Sequence, residues 1–333
     1  MIEKVFESNA ELKGQRLDVF LASQLPDYSR SQLQQMIKDG KVLCNGKVMD
    51  LPRFALREHS VITVQLEEKV EVEALEAEDF NYEILFEDDS ILVINKPAGA
   101  VVHPGAGNHT GTIVNALMSR YPAWREIYSD ENVRPGIVHR LDKDTSGCLV
   151  IAKNPEIQFK MSKIFAERSC EKHYFAIVHG VFQKRTGSIN TLIGRHPVNR
   201  QKMAVVDRNG KIAISEYKVK TSGLVDNVAL SQVAVKIMTG RTHQIRVHMA
   251  HLKHPVLGDP VYGGAKGVQV ARQMLHAHTL RFPHPVTGDD MTFYAPIPAD
   301  IQAICDRFEP LKKTFPDKIG NSVKEEFYDD DDF

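Results

Sequence analysis

Apolar residues in the first 40 positions of the chain recur at the spacing of amphipathic α-helices. This spacing predicts a first helix that ends at a turn formed by Pro26 and Asp27. A second helix is predicted next, because Ser29 and Gln32 have capping-box spacing and Gly40 suits a helix end. The apolar positions of the two helices are Leu17, Phe20, Leu21 and Leu25, and then Leu33, Met36 and Ile37.

From residue 42 the pattern changes to that of β-strands. The run Val42–Cys44 and the pair Lys47–Val48 flank Asn45 and Gly46. These two residues readily adopt the positive φ angles of a type I′ turn, so a β-hairpin is predicted. With the two helices it defines a small ααβ module over residues 14–66.

From about residue 80 many short β-rich runs follow, and helical stretches separate only some of them. The regular alternation of a doubly wound fold is missing. We therefore expect an α+β domain over residues 80–305, with a largely antiparallel mixed sheet flanked by helices and loops. The predicted strands include residues 91–94, 136–138, 149–151, 175–178 and 233–237, and the predicted helices are 156–167 and 242–252.

Charge is distributed unevenly along the 333 residues, although the formal net charge is only −1. Residues 67–79 form an acidic run with little apolar content, which is typical of a linker, and the polar, acidic residues 315–333 predict a disordered tail. The long segment between them is basic. This favours a nucleic-acid partner, although an ordinary solvated basic face would give the same bias.

Composition indicates an ordinary globular protein, with 42% hydrophobic and 26% charged residues. The four cysteines, predicted to be reduced and buried, contain no CxxC pair, which argues against a zinc ribbon or a disulfide framework. Residues 1–11 lack the regions of a signal peptide, and no apolar run reaches membrane-spanning length. We expect a cytoplasmic protein that does not contact membranes.

A polar loop, "HRLDKDTSG" at residues 139–147, lies between the apolar runs 136–138 and 149–151. Loops held on rigid elements often present reactive side chains. Asp142 and Asp144 are the acidic candidates within it. The alternative is a turn whose polar side chains only satisfy backbone groups.

Four histidines, His243, His248, His251 and His254, invite a metal-binding interpretation. No carboxylate or cysteine nearby completes a usual ligand set, so we expect no metal site. The glycines fit neither GxGxxG nor a phosphate-binding P-loop. We therefore also expect no nucleotide cofactor.

The stretch "QRLDVFLASQLPDYSRSQLQQMIKDGKVLCNGKVM" resembles the S4 RNA-binding domain. In that domain the second helix and the adjacent hairpin present the RNA surface. The resemblance makes four residues candidate phosphate contacts, namely Arg30, Lys38, Lys41 and Lys47. The alternative is a small structural cap with solvated lysines.

The stretch "RPGIVHRLDKDTSGCLVIAK" resembles the central motif of RluA/RluD-type pseudouridine synthases. Four further stretches resemble the remaining motifs in the family's order: "NKPAGAVVHPGAGN", "EKHYFAIVHG", "TGRTHQIRVHMAHLKHPVLGDPVYGG" and "LHAHTLRFPHP". With an S4-like module in front, the resemblance is to the RluD-type subgroup. It implies isomerisation of uridines in large-subunit ribosomal RNA without a cofactor.

The resemblance assigns roles to individual residues. Asp142 becomes the catalytic aspartate, Arg246 its partner, Tyr174 the ring packed on the flipped base, and Arg140 the wedge that fills the vacated space. Leu280 and Ile245 would line the pocket. Taken alone, Arg246 is better interpreted as part of a surface salt bridge, and Tyr174 could be a core residue.

Uridine isomerisation suits these residue types, because the reaction moves a bond without consuming an oxidant, acyl donor or water. A single ionised carboxylate can act as a nucleophile or can remove a ribose proton, and both routes stay open. An arginine keeps such a carboxylate charged in a dry pocket. Ile245, Met249 and Leu252 lie at i, i+4 and i+7, which predicts a buried helix face that fixes Arg246.

Two other functions remain open from the sequence. A non-catalytic ribosome-assembly factor could retain the same architecture. A glycosidase-like enzyme could use Asp142 and Asp144 as an acid and base pair. The target uridines, the choice of free RNA or an assembling particle, and the oligomeric state are not fixed by the sequence.

Overall fold

The computed structural model describes residues 2–26, 28, 30–66, 81–104, 110–128, 134–199 and 202–311. The chain divides into two compact units, Met1–Ala74 and Leu75–Phe333. Residues 67–79, predicted as a linker, and residues 315–333, predicted as a tail, lie outside the described residues. The same holds for the predicted turn residue Asp27 and the predicted capping residue Ser29.

The N-terminal unit is a four-stranded antiparallel sheet, in the order β1-β4-β2-β3, with two helices. The predicted ααβ module is confirmed. The strand Ile2–Glu7 pairs over its whole length with the strand Val61–Leu66. It was not predicted, because apolar and polar residues do not alternate in its sequence, IEKVFE. The elements are β1 (Ile2–Glu7), α1 (Leu17–Gln24), α2 (Arg30–Lys38), β2 (Val42–Cys44), β3 (Lys47–Val48) and β4 (Val61–Leu66).

Local sequence determines where these elements end. Gly40 has a φ of 74° just beyond α2, and Asn45 and Gly46 have φ angles of 50° and 77° between β2 and β3. Both predicted turns are therefore confirmed. The apolar stripes of the helices meet the sheet in one core, which includes Leu17, Phe20, Leu21, Leu25, Leu33, Ile37, Val42, Ile62 and Val64.

The second unit is built on an eleven-stranded sheet in the order β10-β9-β11-β12-β8-β13-β7-β6-β5, with β14 on β13 and β15 on β11. Its strands are β5 (Glu83–Glu87), β6 (Ile91–Lys96), β7 (Ser146–Ala152), β8 (Glu171–His179), β9 (Thr186–Arg195), β10 (Met203–Val205), β11 (Lys211–Val225), β12 (Val228–Ile237), β13 (Leu275–Pro283), β14 (Asp290–Tyr294) and β15 (Glu309–Pro310).

Among the strand pairs that the structure describes, β7 and β13 run parallel and the others antiparallel. The predicted largely antiparallel mixed sheet is confirmed. Gly147 lies at the parallel junction with a φ of 116°, and a Cβ atom there would come within 2.2 Å of the Ala277 carbonyl oxygen. Only glycine permits this close approach.

Helices cover the sheet at a few places: α3 (Ile113–Arg120), α4 (Trp124–Ile127), α5 (Pro155–Ala166), α6 (Gln244–His251) and α7 (Ala299–Cys305). The start of α5 follows from its sequence, since Asn154 accepts a hydrogen bond from the Ile157 amide and Pro155 occupies the first turn. The strand predicted at 136–138 is wrong, because Ile137 forms only an isolated bridge to Ile151.

All four cysteines have free thiols. Cys44, Cys148 and Cys170 are buried as predicted, whereas Cys305 is partly exposed. In the part of the chain that the structure describes, no helix is long and apolar enough to cross a membrane.

Candidate active site

The loop of residues 139–147 leads directly into β7, and buried cations hold its backbone. The Lys96 ammonium, fully buried, donates to the Lys143 carbonyl at 3.0 Å. The Arg272 guanidinium donates to the Asp144 carbonyl, also at 3.0 Å. Because the loop backbone is fixed in this way, the Asp142 side chain is presented from a rigid support.

Asp142 is paired with Arg246, although 103 residues separate them in the sequence. The Arg246 Nη1 atom lies 3.1 Å from the Asp142 Oδ2 atom. The guanidinium also donates two hydrogen bonds to Asp259, from Nε to Oδ2 at 2.7 Å and from Nη2 to Oδ1 at 3.0 Å. One buried arginine is thus shared by two carboxylates.

Burial and charge set the character of this cluster. The exposed fraction of the side chain is 19% for Asp142, 5% for Arg246 and 0% for Asp259. Burial alone lowers the pKa of Arg246, but the hydrogen bonds and charges of Asp259 and Asp142 raise it above its usual range. The guanidinium therefore stays charged, and the partly exposed Asp142 faces open space.

That space is a cavity of about 400 Å³, within the range of small-molecule sites. Asp142 and Tyr174 both line it. Burial, and then the charge of Asp142, raise the pKa of Tyr174, so its phenol is neutral. Other lining residues come from residues 138–141, α5, β8, α6 and β13: Val138, Arg140, Leu141, Phe165, Lys172, Ile245, Arg246 and Leu275.

A second cavity of about 320 Å³ also reaches Asp142. Arg140, His243 and Arg246 line both cavities, and His103 lines the second one. Asp142 therefore lies where two cavities meet.

Arg140 is exposed at this junction, as a wedge would need to be. Its Nη1 atom lies 3.5 Å from the His103 Nε2 atom. The His103 Nδ1 atom lies 2.9 Å from the Pro104 carbonyl oxygen, which requires a proton on Nδ1 and leaves Nε2 as an acceptor. Burial, and then the charges of Arg134 and Arg140, lower the pKa of His103, in agreement with a neutral ring.

The two apolar residues predicted for the pocket have different positions. Ile245 lines the cavity. Leu280 is not among its lining residues: it is 1% exposed and belongs to the core cluster on which Val138 and Phe165 pack, so its role at the pocket stays a prediction. Leu275, which lies opposite Ala176 of β8, is the leucine of β13 that lines the cavity, whereas Leu280 lies opposite Lys172.

The first six residues of α6, Gln244 to Met249, are all buried, which is more than the predicted stripe implied. Met249 packs in the core with Ile245. On another side, His248 is bonded to the Ser215 hydroxyl at 2.8 Å and to the Thr191 hydroxyl at 3.0 Å. Burial lowers the pKa of His248 to about 4, so a neutral histidine anchors the helix that carries Arg246.

Sequence reasoning missed Asp259, which fixes Arg246. The motif "HPVLGDPVYGG" contained it, and the left-handed Gly258 before it, with a φ of 77°, is the local signal. Asp259 also accepts the Val261 and Tyr262 amides at 2.8 Å and 3.1 Å. The Tyr262 ring lies under the Arg246 guanidinium, 5.2 Å from its carbon.

The candidate RNA surface of the N-terminal unit is only partly available. Lys38 and Lys47 are exposed, and Lys41 is half-buried. Arg30 lies 3.0 Å from the fully buried carboxylate of Asp18. Its guanidinium is therefore already engaged, which the sequence pattern did not reveal.

Solved structures share the fold of the second unit. Human RNA Pseudouridylate Synthase Domain Containing 1 has a TM-score of 0.56 and 28% sequence identity, covering 74% of this chain and 94% of its own. Human RNA Pseudouridylate Synthase Domain Containing 4 has a TM-score of 0.53 at 23% identity, covering 69% and 94%, and supports the fold alone. With an S4 domain in front, the class of protein is an RNA-modifying enzyme.

Family models match residues 90–251 as RNA pseudouridylate synthase and residues 15–62 as S4 domain. "Ribosomal large subunit pseudouridine synthase D" of Pseudomonas aeruginosa is 44% identical over 313 residues, 90% of this chain and 94% of that protein. The protein of the same name from Escherichia coli K12 is 42% identical over 303 residues, 86% and 89%. This chain belongs to the RNA pseudouridylate synthase family and is an isomerase.

Proposed function

We propose that this enzyme converts specific uridines of large-subunit (23S) ribosomal RNA to pseudouridine, with Asp142 as the catalytic residue and without a cofactor. The main observation behind this proposal is the partly exposed Asp142 carboxylate. It faces a cavity, and the buried Arg246, itself paired with Asp259, holds the carboxylate in place. The names of the relatives from Pseudomonas aeruginosa and Escherichia coli support ribosomal RNA as the substrate.

Access requires the target uridine to leave its stack, at a cost of a few kcal/mol. Arg140 is exposed at the cavity junction, where its guanidinium can stack on the bases beside the vacated position. The base then enters the cavity and packs on Tyr174, a contact worth about 1–3 kcal/mol by analogy with other stacking platforms. Ile245 and Leu275 form part of the apolar wall around the base.

Chemistry begins at the sugar bond of the flipped uridine. Asp142 attacks as a nucleophile or removes a ribose proton, and the N1–C1′ bond breaks. The detached base turns within the cavity, and C5 bonds to C1′. In the nucleophilic route the bond to Asp142 breaks as the enzyme is released, and in the elimination route the ribose proton returns from Asp142. The C5 proton is lost and N1 gains one, so the product is an isomer of the substrate. No oxidant, reductant or water is consumed.

Arg246 serves this scheme by pairing with Asp142 and keeping its carboxylate correctly placed. Its guanidinium is itself fixed by two bonds to Asp259 and by the Tyr262 ring. Such preorganisation removes the need to orient the carboxylate during the reaction. The S4 domain supplies further RNA affinity through Lys38, Lys41 and Lys47.

The direct test uses large-subunit ribosomal RNA carrying tritium at C5 of uridine, with chelator present and no cofactor added. We expect tritium release together with pseudouridine in the digested RNA. RNA binding without tritium release, from either free RNA or assembling particles, would contradict the proposal and favour a non-catalytic assembly factor.

A further inference from the structure

The cavity is also lined by a cation, Lys172, that the proposed chemistry does not use. Lys172 and Tyr174 are two positions apart on β8, so their side chains point to the same face of the sheet, and both line the cavity. Lys172 is half-buried and lies on the side formed by the end of α5, where Ser162 and Ala166 are exposed.

Within the described parts of the chain, the contacts of Lys172 include no oxygen acceptor. Its ammonium nitrogen lies 3.4 Å from the Cys170 sulfur, a weak acceptor, and 5.4 Å from the centre of the Phe165 ring. Among the described residues, no carboxylate pairs with it. The neighbouring Glu171 carboxylate is occupied by His173 and Lys236, at 3.1 Å and 3.2 Å.

The arginine of the catalytic cluster, Arg246, is not available to bind a phosphate of the RNA. Arg246 is shared by two carboxylates, Asp142 and Asp259, which offset its charge. A flipped nucleotide brings phosphate groups of the same sign toward these carboxylates. A cation that is not neutralised by the protein offsets this repulsion and stays available to the RNA.

We propose that Lys172 binds a phosphate group flanking the flipped uridine, at the α5 side of the cavity; this rests on the proposed function. A phosphate is favoured over the uracil oxygens, because it carries a full charge and the exposed rim at Ser162 and Ala166 leaves room for the RNA backbone. Lysine suits this task as a point charge on a flexible stem.

The test combines a protein variant with a neutral phosphate in the RNA. Dissociation constants are measured for wild type and Lys172→Met, each with target RNA that carries either natural phosphates or a methylphosphonate beside the target uridine. We expect the methylphosphonate to weaken wild-type binding several-fold and to have little effect on Lys172→Met. Lys172→Arg, which retains the charge, should behave like wild type.

Salt dependence supplies a second readout. For Lys172→Met, the slope of log Kd against log salt should fall by about 0.7–0.9, the value for one phosphate contact. Lys163→Met is the matched control, because Lys163 lies on α5 with its ammonium near Glu167 and outside the cavity. Its slope and affinity should match those of wild type.

Equal methylphosphonate penalties in wild type and Lys172→Met would overturn the assignment. So would unchanged affinity with a slower single-turnover rate, which would place Lys172 on the base instead. Thermal unfolding of each variant identifies a folding defect, in which case Lys172→Gln replaces Lys172→Met. Tritium release by wild type is measured first: its absence defeats the proposed function, whereas its presence with equal penalties defeats only the phosphate contact.

Discussion

Each unit of the molecule contains an aspartate paired with arginine, and the two pairs are built in opposite ways. In the N-terminal unit, Asp18 is fully buried and accepts hydrogen bonds from Arg16, Arg30 and Gln34. In the catalytic unit the arginine is buried, and two carboxylates, Asp142 and Asp259, share it.

The difference lies in the balance of donors and acceptors. At Asp18, three side chains donate to one carboxylate, and both carboxylate oxygens accept hydrogen bonds. At Asp142 the single arginine bond goes to Oδ2, and no donor among the described residues reaches Oδ1. A saturated carboxylate stabilises a fold, whereas one with free lone pairs beside a cavity remains available for chemistry.

Apart from loss of the catalytic carboxylate itself, the largest expected effect comes from changing the acceptor behind Arg246. Asp259→Asn should lower the single-turnover rate of pseudouridine formation on the order of 100-fold, because a small misplacement of a catalytic group has effects of that size. The Kd for RNA should stay within about twofold of wild type, since Asp259 is fully buried. Rapid-quench kinetics and filter binding measure the two quantities.

Thermal unfolding and Asp259→Glu are the controls for that variant. An unchanged rate with a folded protein would show that Arg246 needs no second carboxylate, and the contrast with Asp18 would lose its meaning. A parallel loss of RNA affinity would instead show a general disturbance of the cavity.

Acid should destabilise the two units in different pH ranges. Burial lowers the pKa of His139 to about 3 and those of His248 and His276 to about 4. The unfolded state takes up these protons near pH 6.5, and the folded state does not. The free energy of unfolding therefore falls as pH drops from about 6.5 toward 4, by up to about 1.4 kcal/mol per pH unit for each histidine.

Asp18 behaves differently, because burial raises its pKa but the hydrogen bonds from Arg16, Gln34 and Arg30 outweigh this and lower it to about 2. Its contribution is complete above about pH 4 and is lost as pH falls toward 2. The single tryptophan, Trp124, is buried in the catalytic unit and reports its unfolding. Denaturant midpoints that do not change between pH 6.5 and 4 would contradict the histidine account.

Asp18→Asn should weaken the N-terminal unit without affecting chemistry. Loss of the charged acceptor leaves its donors poorly satisfied, and we expect a cost of about 1–3 kcal/mol. Hydrogen exchange of the α1 amides should become faster. Pseudouridine formation at saturating RNA should stay within about twofold, and a rate loss as large as that of Asp259→Asn would contradict the distinction between the two aspartates.

The smallest effect should separate the exposed cations of the N-terminal unit. Lys47→Ala should reduce the slope of log Kd against log salt by about 1 if Lys47 contacts one phosphate. Arg30→Ala should change unfolding more than RNA affinity, because Arg30 is engaged with Asp18. A larger affinity loss for Arg30→Ala than for Lys47→Ala would reverse this order.

Local sequence signals predicted much of the fold because they act over a few residues. The hairpin around Asn45 and Gly46 and the helix end at Gly40 follow from backbone preferences alone. The edge strand β1 was missed, since its pairing with β4 depends on residues about 60 positions away. The strand predicted at 136–138 failed because an apolar run does not by itself supply a pairing partner.

The sequence predicted the site residues that a motif marks individually. It did not predict those whose role depends on contacts between residues distant in the sequence. Resemblance to known motifs pointed to Asp142 and Arg246, which the structure brings together. It gave no reason to select Asp259 or Lys172. β13 shows the limit within one strand, because Leu275 lines the cavity and the motif gave no reason to select it.

The account depends most on the Asp142 carboxylate, and Asp144 in the same loop offers the matched comparison. The decisive measurement is single-turnover pseudouridine formation by Asp142→Asn and Asp144→Asn, with RNA binding measured in parallel. We predict that Asp142→Asn binds RNA but forms no detectable product, while Asp144→Asn forms product within a few-fold of the wild-type rate. Product formation by Asp142→Asn, or its equal loss in both variants, would contradict a single catalytic carboxylate.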